Sequence, residues 1–388
     1  MAVRRRRLSA SGQQAPYACA RVEAFCDGEN RPPGDVALRS PQPRLNEMVP
    51  IRLAIVGCGT VAEGFYVPAL RGFQGFSPVV MVDRQLHRAE LLKSSFQSCA
   101  AETDFTALRE RVDAAIVALP NDLNAMVATR LLQAGISVLV EKPAALTVES
   151  ARELEMAAVK GPAKLAIGFI RREALGVRMA RECIASGMLG DIKRVSVEDG
   201  YPFSWEAVNE FRFDRTRGGG ILFDIGSHVL DMLTFWFGDI RVKRFADDSR
   251  GGVETNAYIE LEIQSHIPAT VELSWTRSLR NTARIVGSRG TLDVEWYKNG
   301  AHLALPNGLH TLSGEVIGDC RFRGGADVFP NMFLAQLRRW CAWLQDDMAV
   351  EERMADASDG RRNIELITSC RAKREQIAEP WREGATAA

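Results

Sequence analysis

The sequence predicts an α/β protein of two units: an N-terminal doubly wound parallel sheet, then an α/β domain with a large open, mainly antiparallel sheet. Three observations carry that expectation. Up to about residue 170, short apolar runs alternate with helical patterns, as in parallel strands joined by helical crossovers. Beyond it the alternation becomes period-2, one apolar face against one polar face. And 388 residues suit two domains at ~100–200 residues each.

Residues 1–48 come first and fit neither unit. They contain Arg4 to Arg7 and five prolines, with 8 Arg against 5 acidic residues and no apolar periodicity. The arginines resemble an export signal, but residues 8–14 supply no apolar stretch behind them. A basic nucleic-acid arm is one reading; a disordered extension, or sequence upstream of a start at Met48, is the simpler one. Strand-like runs then fall at 51–56, 79–82, 114–119, 137–140 and 165–170, and helical patterns at 61–73, 89–96, 125–134 and 148–159. The expected first domain is 49–170.

The expected second domain, 171–388, opens with a helix at 176–186 and a strand at 193–198. An apolar helix follows Gly218-Gly219-Gly220. Ala257, Ile259, Leu261 and Ile263 then alternate with Tyr258, Glu260 and Glu262; Val271, Leu273 and Trp275 repeat the pattern, and 291–296 adds a strand. Closing helices at 331–344 and 360–377 are amphipathic.

Composition narrows the function classes. With 49 basic and 49 acidic residues the formal net charge is zero, which removes any general electrostatic reason to expect nucleic acid or an anionic membrane. Eight scattered cysteines show no metal-ligand spacing and read as reduced thiols of a cytoplasmic protein. No apolar run reaches the ~18–20 residues of a membrane span.

Gly57-Cys58-Gly59-Thr60-Val61-Ala62 gives G-x-G-x-x-A between the first strand and a helix, the dinucleotide fingerprint of a Rossmann domain. Gly57 permits the tight turn, Gly59 lets the backbone approach a pyrophosphate, and Ala62 keeps helix and strand close, with Thr60 and Val61 at the helix entry. Asp83 ends the second strand, where a carboxylate accepts from ribose hydroxyls and so favours NAD. Arg84 beside it could clamp a 2′-phosphate, which keeps NADP open.

Glu141-Lys142-Pro143 follows a strand, so Lys142 stands at a carboxyl strand end, where open α/β sheets bind ligands. A lysine there is often a solvated surface charge; beside a reacting carbon it would steady a developing alkoxide. Within GGGILFDIGSHVLD, offsets of four and seven put Asp224, His228 and Asp231 on one helical face. An Asp–His pair there would raise the basicity of an imidazole suited to proton transfer near neutrality. A satisfied core histidine is the simpler reading. Gly226 in mid-helix calls for close approach by a ligand or another backbone. Two ligands are too few for a metal.

Together these residues resemble the Gfo/Idh/MocA (glucose–fructose oxidoreductase, inositol dehydrogenase) family, from about residue 51 onward. The anchors are the GCGTVA turn, the EKP triplet, Gly168-Phe169-Ile170-Arg171-Arg172, the G-x-x-G-D of 187–191 and GGGILFDIGSHVLD. The resemblance implies NAD or NADP, and oxidation or reduction of one hydroxyl on a sugar, cyclitol, sugar acid or nucleotide sugar. It also implies a homodimer or homotetramer formed largely through the open sheet. By position, Lys142 would contact nicotinamide and substrate, Asp224 would hold the substrate and His228 would be the acid/base. Pro120, Asn121, Glu141 and Pro143 would line the cofactor site, Pro143 shaping its turn. Where many relatives carry a histidine this chain has Asn124, which hydrogen-bonds but cannot titrate, leaving contacts on that rim in doubt. Tyr201, Trp205, Asn209 and Arg212 are expected to border the substrate pocket. An NAD-using glycosidase and a non-catalytic cofactor-binding regulator are the alternatives; loss of Lys142 or His228 would mark the regulator, and neither is lost.

Overall fold

The computed structural model describes residues 49–204, 210–297, 300–313, 328–346 and 354–377. The expectations for residues 1–48 and for Trp205 and Asn209 lie outside the described residues.

Six parallel strands form the first sheet: β1 (Ile51–Val56), β2 (Phe76–Val82), β3 (Ala100–Glu102), β4 (Ala114–Val117), β5 (Ser137–Glu141) and β6 (Leu165–Gly168). Their spatial order, β3-β2-β1-β4-β5-β6, reverses direction between β1 and β4, the switch point where such sheets bind dinucleotides. Helices cover both faces, so the central strands are apolar throughout: Leu53, Ala54, Ile55 and Val56 are all buried. The crossovers include α1 (Val67–Arg71), α2 (Leu86–Lys93), α3 (Asn121–Gln133) and α4 (Val148–Lys160).

The second sheet has nine strands: β7 (Ile192–Gly200), β8 (Ile240–Asp247), β9 (Asn256–Ile263), β10 (Ile267–Ser274), β11 (Thr282–Gly287), β12 (Thr291–Glu295), β13 (Gly300–Leu305), β14 (Gly308–Ser313) and β15 (Arg374–Gln376). Their order is β14-β13-β12-β11-β7-β10-β9-β8-β15. All neighbours are antiparallel except β7 with β10 and β8 with β15. Ala257, Ile259, Leu261 and Ile263 point into the core while Tyr258, Glu260 and Glu262 stay partly exposed, the alternation of a sheet covered on one face. The covering helices include α5 (Leu175–Ala185), α6 (Ser227–Phe237) and α8 (Ala357–Ala372).

The chain then returns to the first unit. On α7 (Val328–Leu344), Trp340 packs on Phe76 with centroids 5.0 Å apart, and Phe333 meets Tyr66 edge-on at 4.9 Å. The Cys341 thiol donates to Gly75 O. One apolar cluster therefore runs from the first sheet into the second. Among the described residues no helix is long and apolar enough to cross a membrane, and no group of three or more His, Cys, Asp or Glu could hold a metal ion.

Candidate active site

The glycine turn lies at the switch point. Gly57 sits at φ +101°, and its N–H donates to Val82 O at 2.8 Å. A Cβ there would be 2.3 Å from Ala118 O, so only glycine fits. At Gly59 a Cβ would meet no described atom within 4 Å, which leaves open the space a pyrophosphate needs. Asp83 ties the turn down: Oδ2 accepts from Cys58 N at 2.9 Å and Oδ1 from Gln85 N at 2.8 Å. Arg88, which sequence reasoning missed, donates from Nε to Cys58 O at 2.8 Å. After the turn comes a π-helical turn (Ala62–Tyr66) before α1, where the sequence predicts one continuous helix. Pro68 near the start of α1 has no N–H to continue a regular ladder.

Beyond the turn a cleft of about 330 Å³ opens between the two units. Gly57, Gly59, Thr60, Val61, Asp83, Arg84, Pro120, Asn121, Glu141, Lys142 and Asp224 all line it, as do Arg88, Arg212, Arg217 and Trp275. Three of the predicted catalytic and cofactor residues are outside the lining. Ala62 is fully buried, Pro143 follows Lys142 across a cis peptide bond, and His228 lies farther along the helical segment that carries Asp224. Phosphate room above Gly59, a carboxylate at the ribose end and a cleft across the switch point fit a nicotinamide dinucleotide.

At the other end of the cleft the two units meet through charge. Lys142 Nζ donates to Asp224 O at 2.9 Å and to Asp224 Oδ1 at 3.0 Å. Arg212 Nη1 lies 2.9 Å from the same Oδ1. Burial would push the Asp224 carboxyl up, but the charges of Lys142 and then Arg212 outweigh it and hold it well below the usual carboxylate range. Glu254, in the loop between β8 and β9, secures the start of this helix: Ile221 N donates to its carbonyl at 3.0 Å and Leu222 N to Oε1 at 3.1 Å.

The expected Asp–His pair is absent. Asp224 bonds outward to the two cations, and Asp231 forms a two-pronged bridge to Arg172 at 2.6 and 2.9 Å. The cause is local: residues Leu222–Gly226 form a π turn, so offsets of four and seven no longer share one face. Among the described residues His228 Nδ1 is buried without a hydrogen-bond partner. Burial first, then the positive charges of Lys142 and Arg171, push the imidazole well below its usual value. Arg171 is itself buried, bonded to Asp199 and, at 3.0 Å, to Tyr297 Oη. Tyr201 stands beside this cluster, its N–H donating to Ser274 O, rather than on the cleft lining. Gly226 is explained by packing, since a Cβ would lie 3.1 Å from Leu273 Cδ1 on β10.

Asn124 is no rim residue. It is fully buried: Oδ1 accepts from Leu119 N at 3.2 Å, and Nδ2 donates to Glu141 O at 3.3 Å and Pro143 O at 3.2 Å. A neutral amide thus stitches the end of β4 to the turn that carries Lys142. Asn124→Ala leaves those backbone groups unpaired and is expected to cost about 3 kcal/mol in denaturant unfolding. A loss below about 0.5 kcal/mol, the scale of an ordinary surface change, would contradict this role.

Residues 51–169 match the family model GFO_IDH_MocA, an oxidoreductase family with an NAD-binding Rossmann fold, and residues 177–293 match the GFO/IDH/MocA C-terminal domain. Among curated relatives, D-glucoside 3-dehydrogenase of Escherichia coli (strain K12) is 32% identical over 200 residues, 50% of this chain and 56% of that protein. The chain thus spans little more than half the length of that relative. A dTDP-3,4-didehydro-2,6-dideoxy-alpha-D-glucose 3-reductase of Streptomyces violaceoruber is 27% identical over 63% of this chain and 72% of that protein. A 3-ketoreductase from Actinomadura kijaniata, solved with NADP and TDP-benzene, superposes with a TM-score of 0.72 over 86% of this chain and 100% of that one; at 21% identity the likeness is one of fold.

Proposed function

The chain belongs to the GFO/IDH/MocA oxidoreductase family, and from that premise we propose that it transfers a hydride between a nicotinamide cofactor and a hydroxyl- or keto-bearing carbon of a sugar, cyclitol, sugar acid or nucleotide sugar. The observation that supports it best is the 3.0 Å contact of Lys142 with Asp224. It brings the end of β5 and the catalytic helix to one side of a cleft whose other side is the glycine turn.

Bound nicotinamide would supply the hydride acceptor or donor. Gly57, Gly59, Thr60 and Val61 would hold its pyrophosphate, and Asp83 the adenosine ribose. Asp83 favours NAD; Arg84 and Arg88 on the same stretch of lining are the cations that would meet a 2′-phosphate when NADP is used. Ionised Asp224 would accept hydrogen bonds from substrate hydroxyls and orient the ring. The Lys142 ammonium would sit at the reacting oxygen and stabilise the alkoxide form. His228, neutral in its buried setting, would accept the hydroxyl proton during oxidation. A homodimer or homotetramer would use the helix-free face of the second sheet.

The test is turnover of sugars, inositols, sugar acids and nucleotide sugars with NAD(H) and NADP(H), followed by the reduced-nicotinamide absorbance across pH 5–9. At least one carbohydrate should be oxidised or reduced, with NAD preferred. Because His228 is shifted down, the oxidation rate should show no titration step near pH 6.5. Stability carries the same sign: the unfolded imidazole binds a proton below ~6.5 and the folded one does not. Wild type should therefore lose stability relative to His228→Asn as pH falls below that value. Tight cofactor binding without turnover on any carbohydrate would overturn the proposal.

A further inference from the structure

Two cations converge on one oxygen. Asp224 Oδ1 is 3.0 Å from Lys142 Nζ and 2.9 Å from Arg212 Nη1, although a single salt bridge would suffice to neutralise the carboxylate. Lys142 also donates to the Asp224 carbonyl, so two of its three N–H donors are spent on one residue. To meet a substrate oxygen it must loosen that hold. Arg212 is anchored independently of Lys142. Its carbonyl accepts the Gly220 amide at 3.0 Å, its guanidinium lies 5.6 Å from the Phe211 ring centroid, and its side chain is 21% exposed. A guanidinium stays charged at every working pH.

Taking Lys142 as the group that meets the reacting oxygen, we propose that Arg212 is a positioning residue: it keeps the Asp224 carboxylate in charge balance, so that the Lys142 ammonium is released from Asp224 to the substrate. Among the described residues Asp199 from β7 also faces Asp224 and repels it. Glu141, behind Lys142, feels both cations, and His228 on the same helix is neutral. With Arg212 removed, Asp224 retains one cation. It then holds Lys142 harder and takes up a proton at higher pH.

The experiment compares wild type, Arg212→Gln and Arg212→Lys in kcat and KM across pH 3–9, so that the acid limb of Asp224 can enter the window. It adds an equilibrium-unfolding cycle of Arg212→Gln, Asp224→Asn and the double variant. Arg212→Gln should lower kcat roughly 30-fold, the scale of a misplaced catalytic group, with KM within threefold and the acid limb moved upward. Arg212→Lys should restore most of kcat and return the limb. The unfolding cycle should show about tenfold coupling between the two positions. It needs no substrate. Coupling below twofold, an unmoved acid limb, or a raised KM with unchanged kcat (the mark of a direct substrate ligand) would overturn the proposal. Should Arg212→Gln fail to fold, Arg212→Lys still decides by its acid limb and kcat: wild-type-like values support the role and a KM-only change refutes it. A wild type that couples Arg212 to Asp224 yet turns over no carbohydrate would refute the oxidoreductase reading and leave the pairing standing.

Discussion

Lys142→Met is expected to lower kcat by about 10²–10³-fold, the scale of losing a preorganised charge or proton-transfer group at the reacting oxygen. The folded state should survive the change. Lys142 is not the sole neutraliser of Asp224, because Arg212 remains on the same oxygen, so the carboxylate is not left buried and unpaired. Methionine keeps the apolar stem of the lysine side chain and removes only its head. The measurement is steady-state turnover beside a titration of cofactor affinity: dinucleotide binding should change less than threefold while kcat collapses. A kcat within threefold of wild type would remove Lys142 from the chemistry.

The second large effect concerns the glycine turn and separates folding from binding. Gly57→Ala forces a side chain into φ +101° and puts its Cβ 2.3 Å from Ala118 O. The left-handed strain and the overpacking together should cost roughly 3 kcal/mol of stability and abolish cofactor affinity. Gly59→Ala meets no atom of the described residues within 4 Å, so its unfolding curve should match wild type. Its methyl group would fill the space assigned to the pyrophosphate, and affinity should fall about 100-fold or more, the loss of several well-placed phosphate contacts. Wild-type NAD(H) affinity in Gly59→Ala would mean that the dinucleotide does not cross the turn.

The legible part of this fold was the part governed by local pattern. The buried central strands announce themselves as apolar runs, and β9 and β10 announce their two faces by alternation. The strand β3 escaped because Ala100–Glu102 is short and unremarkable in composition. β8, with Arg241, Lys243 and Arg244 along it, and the hairpin of β13 and β14 did not stand out from surface sequence. The lysine, aspartate and histidine were found by motif and order, and the structure brings the first two into contact. The Asp–His pair was misjudged because a periodicity argument assumes a uniform helix, and a π turn breaks it. Arg212, expected at the pocket, was not seen as a partner of Asp224, and Arg88 was invisible as a site residue, for another reason. Their partners, Asp224 and Cys58, lie 12 and 30 residues away in the sequence, and no local spacing encodes such a meeting. Asn124 looked like a lost titratable group; only its burial reveals that it serves the backbone.

The return of α7 to the first unit has a bearing on how the polypeptide is made. Cys341 and Gly75 are 266 positions apart, and Gln336 and Tyr66 are 270 apart. A nascent chain emerging at ~5–20 residues per second thus exposes Phe73, Phe76 and their neighbours for tens of seconds before their cover leaves the ribosome. The amino-terminal sheet is complete long before its last partner arrives, and in that interval its apolar edge is open to aggregation.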